Sequence, residues 1–257
     1  ASIGIYLAGG NDNWTISNNK FYQTAPRTQT SGVTHAAINV ANSTGNTSHT
    51  FSGNTIGFAN ATGTGNYQIT LGNNGRFAGI WVSAAGKGGN YNIQNNTITN
   101  IDITGSGNGS GTSAGFAAIF MGSGSTATIS GNTIGSTTTG GAISYSSSSS
   151  FPSNVYGIYF FSSENVTISN NIVAGITATN SSTAAVVIYG IRASTNPSAT
   201  NTIQNNTIGS SSAPIQNTAS STSSRVIGIL SESGASVVIG NTVRNLTMSA
   251  GNTGTGT

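Results

Sequence analysis

Seven copies of one motif, at similar spacing, constrain the fold more than any other feature of this sequence. Each copy has a hydrophobic residue, a variable residue, Asn or Gly, an unchanging Asn, another variable residue and a second hydrophobic residue, as in Ile93-Gln94-Asn95-Asn96-Thr97-Ile98. The unchanging residues are Asn19, Asn54, Asn96, Asn132, Asn171, Asn206 and Asn241, at steps of 35, 42, 36, 39, 35 and 35 residues. A repeat of this length indicates stacked structural units.

A second motif precedes each copy of the first. It consists of Gly or Ala, then Ile, then two further residues typical of strands. Its seven copies begin at Gly4, Ala37, Gly79, Ala118, Gly157, Gly190 and Gly228. The order of the two motifs is the same in every copy, which predicts that each repeat follows the same path in space.

Both motifs predict short strands whose side chains alternate between two faces. A strand of this length is stable only when it stacks on its equivalents, so we expect parallel sheets with Ile above Ile. The first position of the Asn pair, always Asn or Gly, tolerates a left-handed backbone and therefore predicts a sharp turn. The unchanging asparagines would then form one file, in which each side-chain amide donates to one neighbour and accepts from another.

This repeated pair of motifs resembles the right-handed parallel β-helix repeat of the pectate-lyase-like superfamily, as found in secreted microbial surface proteins. The resemblance covers residues 3–243 and implies an all-β fold, a right-handed parallel β-helix solenoid of about seven coils. We expect residues 1–257 to be a single β-helix domain, and a segment of a longer protein or assembly. The superfamily includes lyases, hydrolases, adhesins and phage fibres, so the resemblance implies no single function.

The repeats are longer than the minimal coil of that superfamily, and the additional residues follow the Asn motif. Some of these segments contain strand-like pieces, such as residues 67–71 and 142–145. The sequence therefore predicts a further strand in each coil, together with long loops on one side.

The composition excludes several classes of protein. More than half of the residues are Ser, Thr, Asn or Gly, and only seven basic and four acidic residues occur. A hydrophobic content of 35% in short β-branched clusters is unlike a disordered chain. The basic residues are scattered singly, which argues against nucleic-acid binding. No apolar stretch approaches the roughly 20 residues of a membrane span.

Few side chains are suited to catalysis or metal binding. The acidic residues Asp12, Asp102, Glu164 and Glu232 fall at different positions of the repeat, so no carboxylate pair for acid–base chemistry is predicted. The two histidines, His35 and His49, lie next to predicted strands, and we interpret them as solvated turn residues. There is no cysteine. We expect no enzymatic activity, no metal and no cofactor.

The residue after each Ile of the second motif is often aromatic. If it points outward, a file forms that could stack on sugar rings or be covered by the Ser/Thr/Gly-rich segments, and the sequence favours the covered arrangement because exposed apolar strips are unfavourable. The aromatic members of this carbohydrate-binding or packing strip are Tyr6, Trp81, Phe120 and Tyr159.

These features favour an extracellular structural or adhesive protein, a stalk or filament subunit of a microbial cell surface. Bare solenoid ends would allow end-to-end self-association into a filament. The alternatives are a carbohydrate-binding and a polysaccharide-degrading β-helix protein. Ice binding would need a regular array of threonines, and the file that contains Thr55, Thr97, Thr133, Thr207 and Thr242 is interrupted by Lys20 and Ile172.

Overall fold

The chain forms a parallel β-solenoid of about six turns. The structure, a computed structural model, describes residues 2–10, 12–30, 32–41, 48–83, 89–122 and 124–248. Within these ranges it contains 28 strands and one short 3-10 helix, Gly111–Ser113. The strands form four parallel sheets, and each sheet receives one strand from every coil. The predicted all-β solenoid is therefore confirmed, with seven strands stacked in each sheet.

Sheets A and B contain the two strands that begin each coil. Sheet A comprises β1 (Ile3–Leu7), β5 (Thr34–Val40), β9 (Arg76–Val82), β13 (Phe116–Gly122), β17 (Ser153–Ser162), β21 (Val186–Thr195) and β25 (Arg225–Glu232). Sheet B comprises β2 (Thr15–Ser17), β6 (His49–Ser52), β10 (Asn90–Gln94), β14 (Thr126–Ser130), β18 (Val166–Ser169), β22 (Thr200–Gln204) and β26 (Ala235–Ile239).

Sheets C and D complete the coil. Sheet C comprises β3 (Lys20–Phe21), β7 (Thr55–Ile56), β11 (Thr97–Ile98), β15 (Thr133–Gly135), β19 (Ile172–Ala174), β23 (Thr207–Ile208) and β27 (Thr242–Val243). Sheet D comprises β4 (Arg27–Gln29), β8 (Tyr67–Leu71), β12 (Ile101–Gly105), β16 (Ile143–Ser147), β20 (Ile176–Asn180), β24 (Ile215–Asn217) and β28 (Leu246–Met248). Sheet D contains the further strand that the sequence predicts in the long segments.

The core is a column of stacked aliphatic and aromatic side chains. In sheet A, Ile38, Ile80 and Ile119 pair in register and are fully buried. Sheets B, C and D contribute equivalent inward-facing files, and buried residues from all four sheets form one continuous cluster. Because every inward residue lies above an equivalent one, a single repeated pattern buries apolar surface along the whole solenoid.

The connections between sheets differ strongly in length from one corner to another. Sheet B joins sheet C through two residues in every coil, whereas the other three corners carry segments of variable length. The longest include residues 57–66, between sheets C and D, and 106–115, between sheets D and A. The expectation of long loops on one side is therefore too simple, because the additional residues are divided among corners.

The Gly or Ala that opens the second motif points toward the solenoid interior. A Cβ atom on Gly79 would lie 3.0 Å from Ile98 Cδ1, and one on Gly157 would lie 2.6 Å from Val173 Cγ1. The small side chain is needed because sheet C packs against sheet A at this point.

Candidate functional site

The turn between sheets B and C is the most regular feature of the molecule. Its first residue has a positive φ in every coil, as predicted, with values from 56° to 66° at Asn18, Gly53, Asn95, Gly131, Asn170, Asn205 and Gly240. This left-handed residue directs the next side chain, the unchanging Asn, inward. The asparagines from Asn54 to Asn206 are at most 1% exposed.

These asparagines form a continuous hydrogen-bonded ladder, which Asn96 illustrates. Its Nδ2 donates to Asn132 Oδ1 and to the Phe51 carbonyl, both at 2.9 Å, and its backbone N–H donates to Asn132 Oδ1 at 3.0 Å. Its Oδ1 accepts from Asn54 Nδ2 at 2.9 Å and from the Asn54 backbone N–H at 3.0 Å. Every polar group of the side chain is thus satisfied, as burial requires. The ladder therefore has a structural role.

The ladder has a direction, and its two ends differ. In the Asn–Asn bonds, each asparagine donates to the asparagine of the next coil and accepts from that of the preceding coil, while its Nδ2 also donates to a backbone carbonyl of the preceding coil. Among the described residues, Asn19 Oδ1 therefore receives no donor. At the other end, the backbone N–H of Asn241 has no acceptor in the described part of the chain, and its Nδ2 bonds only to the Ile203 and Ile239 carbonyls.

The predicted aromatic strip lies on the outer side of sheet A. Register pairs place Trp81, Phe120 and Tyr159 in one file, and these side chains are only 7%, 2% and 2% exposed. Trp81 stacks on Phe120 with ring centroids 4.1 Å apart, and Phe120 meets Tyr159 edge-on at 5.5 Å. Tyr6, at the N-terminal end of the file, is 54% exposed. Three of the four rings are therefore packed, and Tyr6 alone presents a free face.

A neighbouring outward file forms a second hydrophobic cluster with this strip. Ala36, Ala78 and Ala117 occupy it in the N-terminal half, and Tyr156 and Tyr189 replace them further along. Tyr156 stacks between Tyr159, at 4.5 Å, and Tyr189, at 5.1 Å. Small side chains beside Trp81 and larger ones beside Arg192 keep this side of the sheet densely packed. Sequence reasoning missed this file because it lies two residues before the repeated Ile.

Arg192 completes the cluster and holds its only ion pair among the described residues. Its guanidinium bonds to Glu232 Oε2 at 2.8 and 2.9 Å, and donates to the Tyr156 hydroxyl at 2.8 Å. It also lies over the ring of Tyr159 at 4.9 Å, which is a cation–π geometry. Burial opposes its charge, but Glu232 and the tyrosines outweigh that effect and raise the pKa of Arg192. Burial likewise raises the pKa of Tyr159 to about 12.

The acidic side chains do not converge. Asp12, Asp102, Glu164 and Glu232 lie in the first, third, fifth and seventh coils. Asp102 accepts from Asn66 Nδ2 and Ser144 Oγ, at 2.8 and 2.9 Å, on the outside of sheet D. Within the described ranges, no three His, Cys, Asp or Glu side chains come close enough together to hold a metal ion.

Both histidines are buried inside the solenoid, so their interpretation as solvated turn residues is wrong. His35 is 6% exposed in β5, and His49 is 1% exposed in β6. Strands β5 and β6 begin earlier than the motifs suggest, which places these rings in the inward files of Phe77 and Tyr91. Burial, and secondarily the charge of Arg27, lower the pKa of His35 to about 4.

Cavities occur at the N-terminal end of the core. One, of about 270 Å³, is lined by residues including Lys20, Arg27, His35 and Tyr67, and an adjoining one of about 420 Å³ shares Arg27 and His35. His35 Nε2 and the Tyr67 hydroxyl are hydrogen-bonded to each other at this mouth. These two polar side chains thus satisfy each other next to the apolar core.

Comparison with known proteins finds no matching family model, and neither a search of curated proteins nor a search of solved structures returns a match. The structure establishes a parallel β-solenoid, and membership of the pectate-lyase-like superfamily stays a hypothesis. In the described part of the chain, no helix has the length and apolar character needed to cross a membrane.

Proposed function

We propose that this chain is an extracellular structural β-solenoid, a stalk, filament or adhesin segment of a microbial surface, without catalysis. The proposal rests on where the polar chemistry of the molecule is used. The buried asparagines of the turn between sheets B and C hydrogen-bond to one another in the ladder, and Arg192 and Glu232 neutralise each other in an ion pair. The side chains thus stabilise a rod, whereas catalysis would need groups held ready for a substrate.

The unequal ends of the ladder are the observation that carries the proposal. Asn241 presents a backbone N–H donor at one end, and Asn19 presents an Oδ1 acceptor at the other. If the C-terminal end of one copy stacks on the N-terminal end of the next, the donor meets the acceptor and the ladder continues. A head-to-tail contact of this kind does not close, so it produces a filament.

The last coil also exposes apolar surface that such stacking would cover. Val238 and Val243 continue the inward files of sheets B and C, yet they are 51% and 45% exposed because no further coil lies above them in the described chain. Among the described strands, those of this coil pair with a neighbour on one side only. Uncovered edges and side chains of this kind favour association, and we propose that a second copy is the partner.

An extracellular location suits the same composition. Seven basic residues in 257 offer few sites to proteases that cleave after Lys or Arg, and parallel strands with paired backbone groups resist local opening. These properties favour a protein that persists outside cells.

The filament is tested by blocking the stacking surface. We expect the purified chain to form linear particles that lengthen with concentration in sedimentation velocity and negative-stain electron microscopy. Val238→Lys should stop growth, because it places an unpaired charge in the contact. Thr179→Lys, on the outer side of sheet D, is the matched control and should assemble normally. A dispersed wild-type monomer at high concentration, or equal assembly of all three proteins, would contradict the proposal.

Glycan binding is the second candidate, and one observation favours it at the C-terminal half of sheet A. Phe161 is 43% exposed and its ring lies 6.1 Å from Tyr159, beside the Arg192–Glu232 pair. An exposed ring beside paired charges is suited to a sugar. A glycan array should then give hits that Phe161→Ala abolishes. The buried rings of Trp81 and Phe120 offer no free face for such stacking.

A further inference from the structure

The outer side of sheet B carries two files of uncharged polar side chains, which we call the hydroxyl face. Register pairing aligns one file of Thr15, Thr50, Asn92, Thr128, Thr167 and Thr202, and a second file of Ser17, Ser52, Gln94, Ser130, Ser169 and Gln204. In four of these six coils the pair reads Thr-x-Ser. The sheet fixes a spacing of about 4.8 Å between coils and about 6.6 Å between the two files.

The Thr and Ser hydroxyl groups of this face make no hydrogen bonds to other side chains or to the backbone in the described part of the chain. All of these side chains are at least partly exposed except Ser169, which is 6% exposed. Water therefore satisfies the exposed hydroxyls. The outer side of sheet D is different, since Thr70 bonds to Thr104 and Ser144 to Asp102, both at 2.9 Å. Sheet B thus presents hydroxyls in a regular array instead of pairing them among themselves.

The face is also uncharged and little obstructed. No Lys, Arg, Asp or Glu occurs in either file. The connection to sheet C has two residues in every coil, and in the fourth to sixth coils the connection from sheet A is also short. In those coils Thr128 and Thr167 are partly exposed and lie directly above one another.

The backbone beneath the face is held rigidly. Sheet B ends at the Asn turn, so each strand is anchored by the ladder immediately after the second file. Waters bound to such an array would be held at fixed positions in two dimensions, with threonine methyl groups between them. The entropy cost of immobilising such waters is small, because the protein has already positioned their hydrogen-bond partners.

We propose that the hydroxyl face binds the surface of ice crystals. Ice is a repeating, uncharged lattice of hydrogen-bonding oxygens, and a rigid uncharged array of hydroxyls and methyls matches that chemistry. A protein partner would favour apolar or aromatic anchors, which this face lacks between its first and sixth coils. The threonine file considered in the sequence analysis lies in sheet C, where Lys20 and Ile172 interrupt it, and that interruption counted against ice binding. The Thr file of sheet B runs without interruption from Thr128 to Thr202.

Adsorption to ice tests the proposal independently of filament formation. Fluorescently labelled protein is partitioned between a slowly growing ice hemisphere and liquid, and recrystallisation of fine-grained ice is followed at matched concentrations. Wild-type protein should enter the ice and slow recrystallisation. Thr167→Lys should weaken both effects by about tenfold or more, because the charge must lie against the lattice.

Thr179→Lys is the control, since Thr179 lies in the same coil on the outer side of sheet D. It should behave as wild type, and circular dichroism should show that both variants fold. Exclusion of the wild-type protein from ice would overturn the proposal, as would equal losses in the two variants. Retention on insoluble cellulose or chitin without adsorption to ice would also overturn it, and would assign the face to a polysaccharide surface.

Discussion

The outer sides of sheets A and B belong to the same coils and cover the same core, yet their outward side chains differ in exposure to solvent. On sheet A, Phe120 is 2% exposed within a stack of aromatic rings. In the same coil, Thr128 on sheet B is partly exposed, and its hydroxyl makes no hydrogen bond to another described residue. The inward files of both sheets are equally buried, at Ile119 and Ile129. The repeat thus fixes the solenoid, whereas the outward residues determine whether a face is packed or open.

The largest expected difference comes from truncating one side chain on each face. Phe120→Ala should lower the free energy of unfolding by about 3 kcal/mol, because it leaves a cavity between Trp81 and Tyr159. Thr128→Ala, in the same coil, should change it by less than about 0.5 kcal/mol. Urea unfolding at one temperature measures both. Similar losses for the two variants would mean that the faces do not differ in packing.

A smaller effect is expected from the ion pair at the C-terminal end of sheet A. Arg192→Gln removes the bond to Glu232 and the contact with the ring of Tyr159, and should cost about 1 kcal/mol, because the pair is partly exposed. Arg225→Gln, whose side chain is exposed, is the control and should be near neutral. Equal stability of both variants and wild type would show that the cluster contributes nothing to the packed face.

The packed face should also respond to alkaline pH. Burial holds the pKa of Tyr159 at about 12, above the value of 10 in an unfolded chain. The protonated phenol therefore stabilises the folded state fully below pH 10, and this contribution is lost as the pH rises through 12. Absorbance of phenolate in wild type and Tyr159→Phe, together with unfolding at pH 9 and 11, measures the effect. A Tyr159 that titrates near 10 would show that the ring is open to water.

The smallest effect is expected when an aromatic residue is added to the open face. Thr128→Phe should change the free energy of unfolding by less than about 0.5 kcal/mol, because Thr128 is partly exposed and the added ring would bury little further surface. It should instead promote association, which light scattering detects. A gain in stability comparable to the loss in Phe120→Ala would show that the open face can pack a ring as sheet A does.

Much of the fold could be predicted because each coil of a solenoid needs the same residue types at the same positions. The inward Ile files, the left-handed turn and the Asn file each recur in seven coils, so each is visible as a pattern in the sequence. The burial of His35 and His49 was not visible, since it depends on strands that extend beyond the repeated motifs. Burial of a polar ring is also unusual, and only the facing Tyr67 shows how His35 is accommodated.

The site was less predictable because outward residues are not fixed by the core. The sequence identifies Trp81 and Phe120 as members of a carbohydrate-binding or packing strip, but the companion file of Tyr156 and Tyr189 depends on the register of a longer strand. The hydroxyl face was missed because Thr and Ser are common throughout the chain. Only the alignment of coils shows which hydroxyls share a plane and which, like that of Thr70, are already bonded.

Hydrogen exchange of the asparagine side-chain amides tests the stacked register most directly. If the seven residues lie in one file, the Nδ2 protons of Asn54, Asn96, Asn132, Asn171 and Asn206 must exchange slowly, because each donates within a buried ladder. The amide of Asn74 is exposed and donates no hydrogen bond among the described residues, so its Nδ2 protons should exchange at nearly the rate of a free peptide. Rapid exchange at the five ladder positions would contradict the register on which the structure depends.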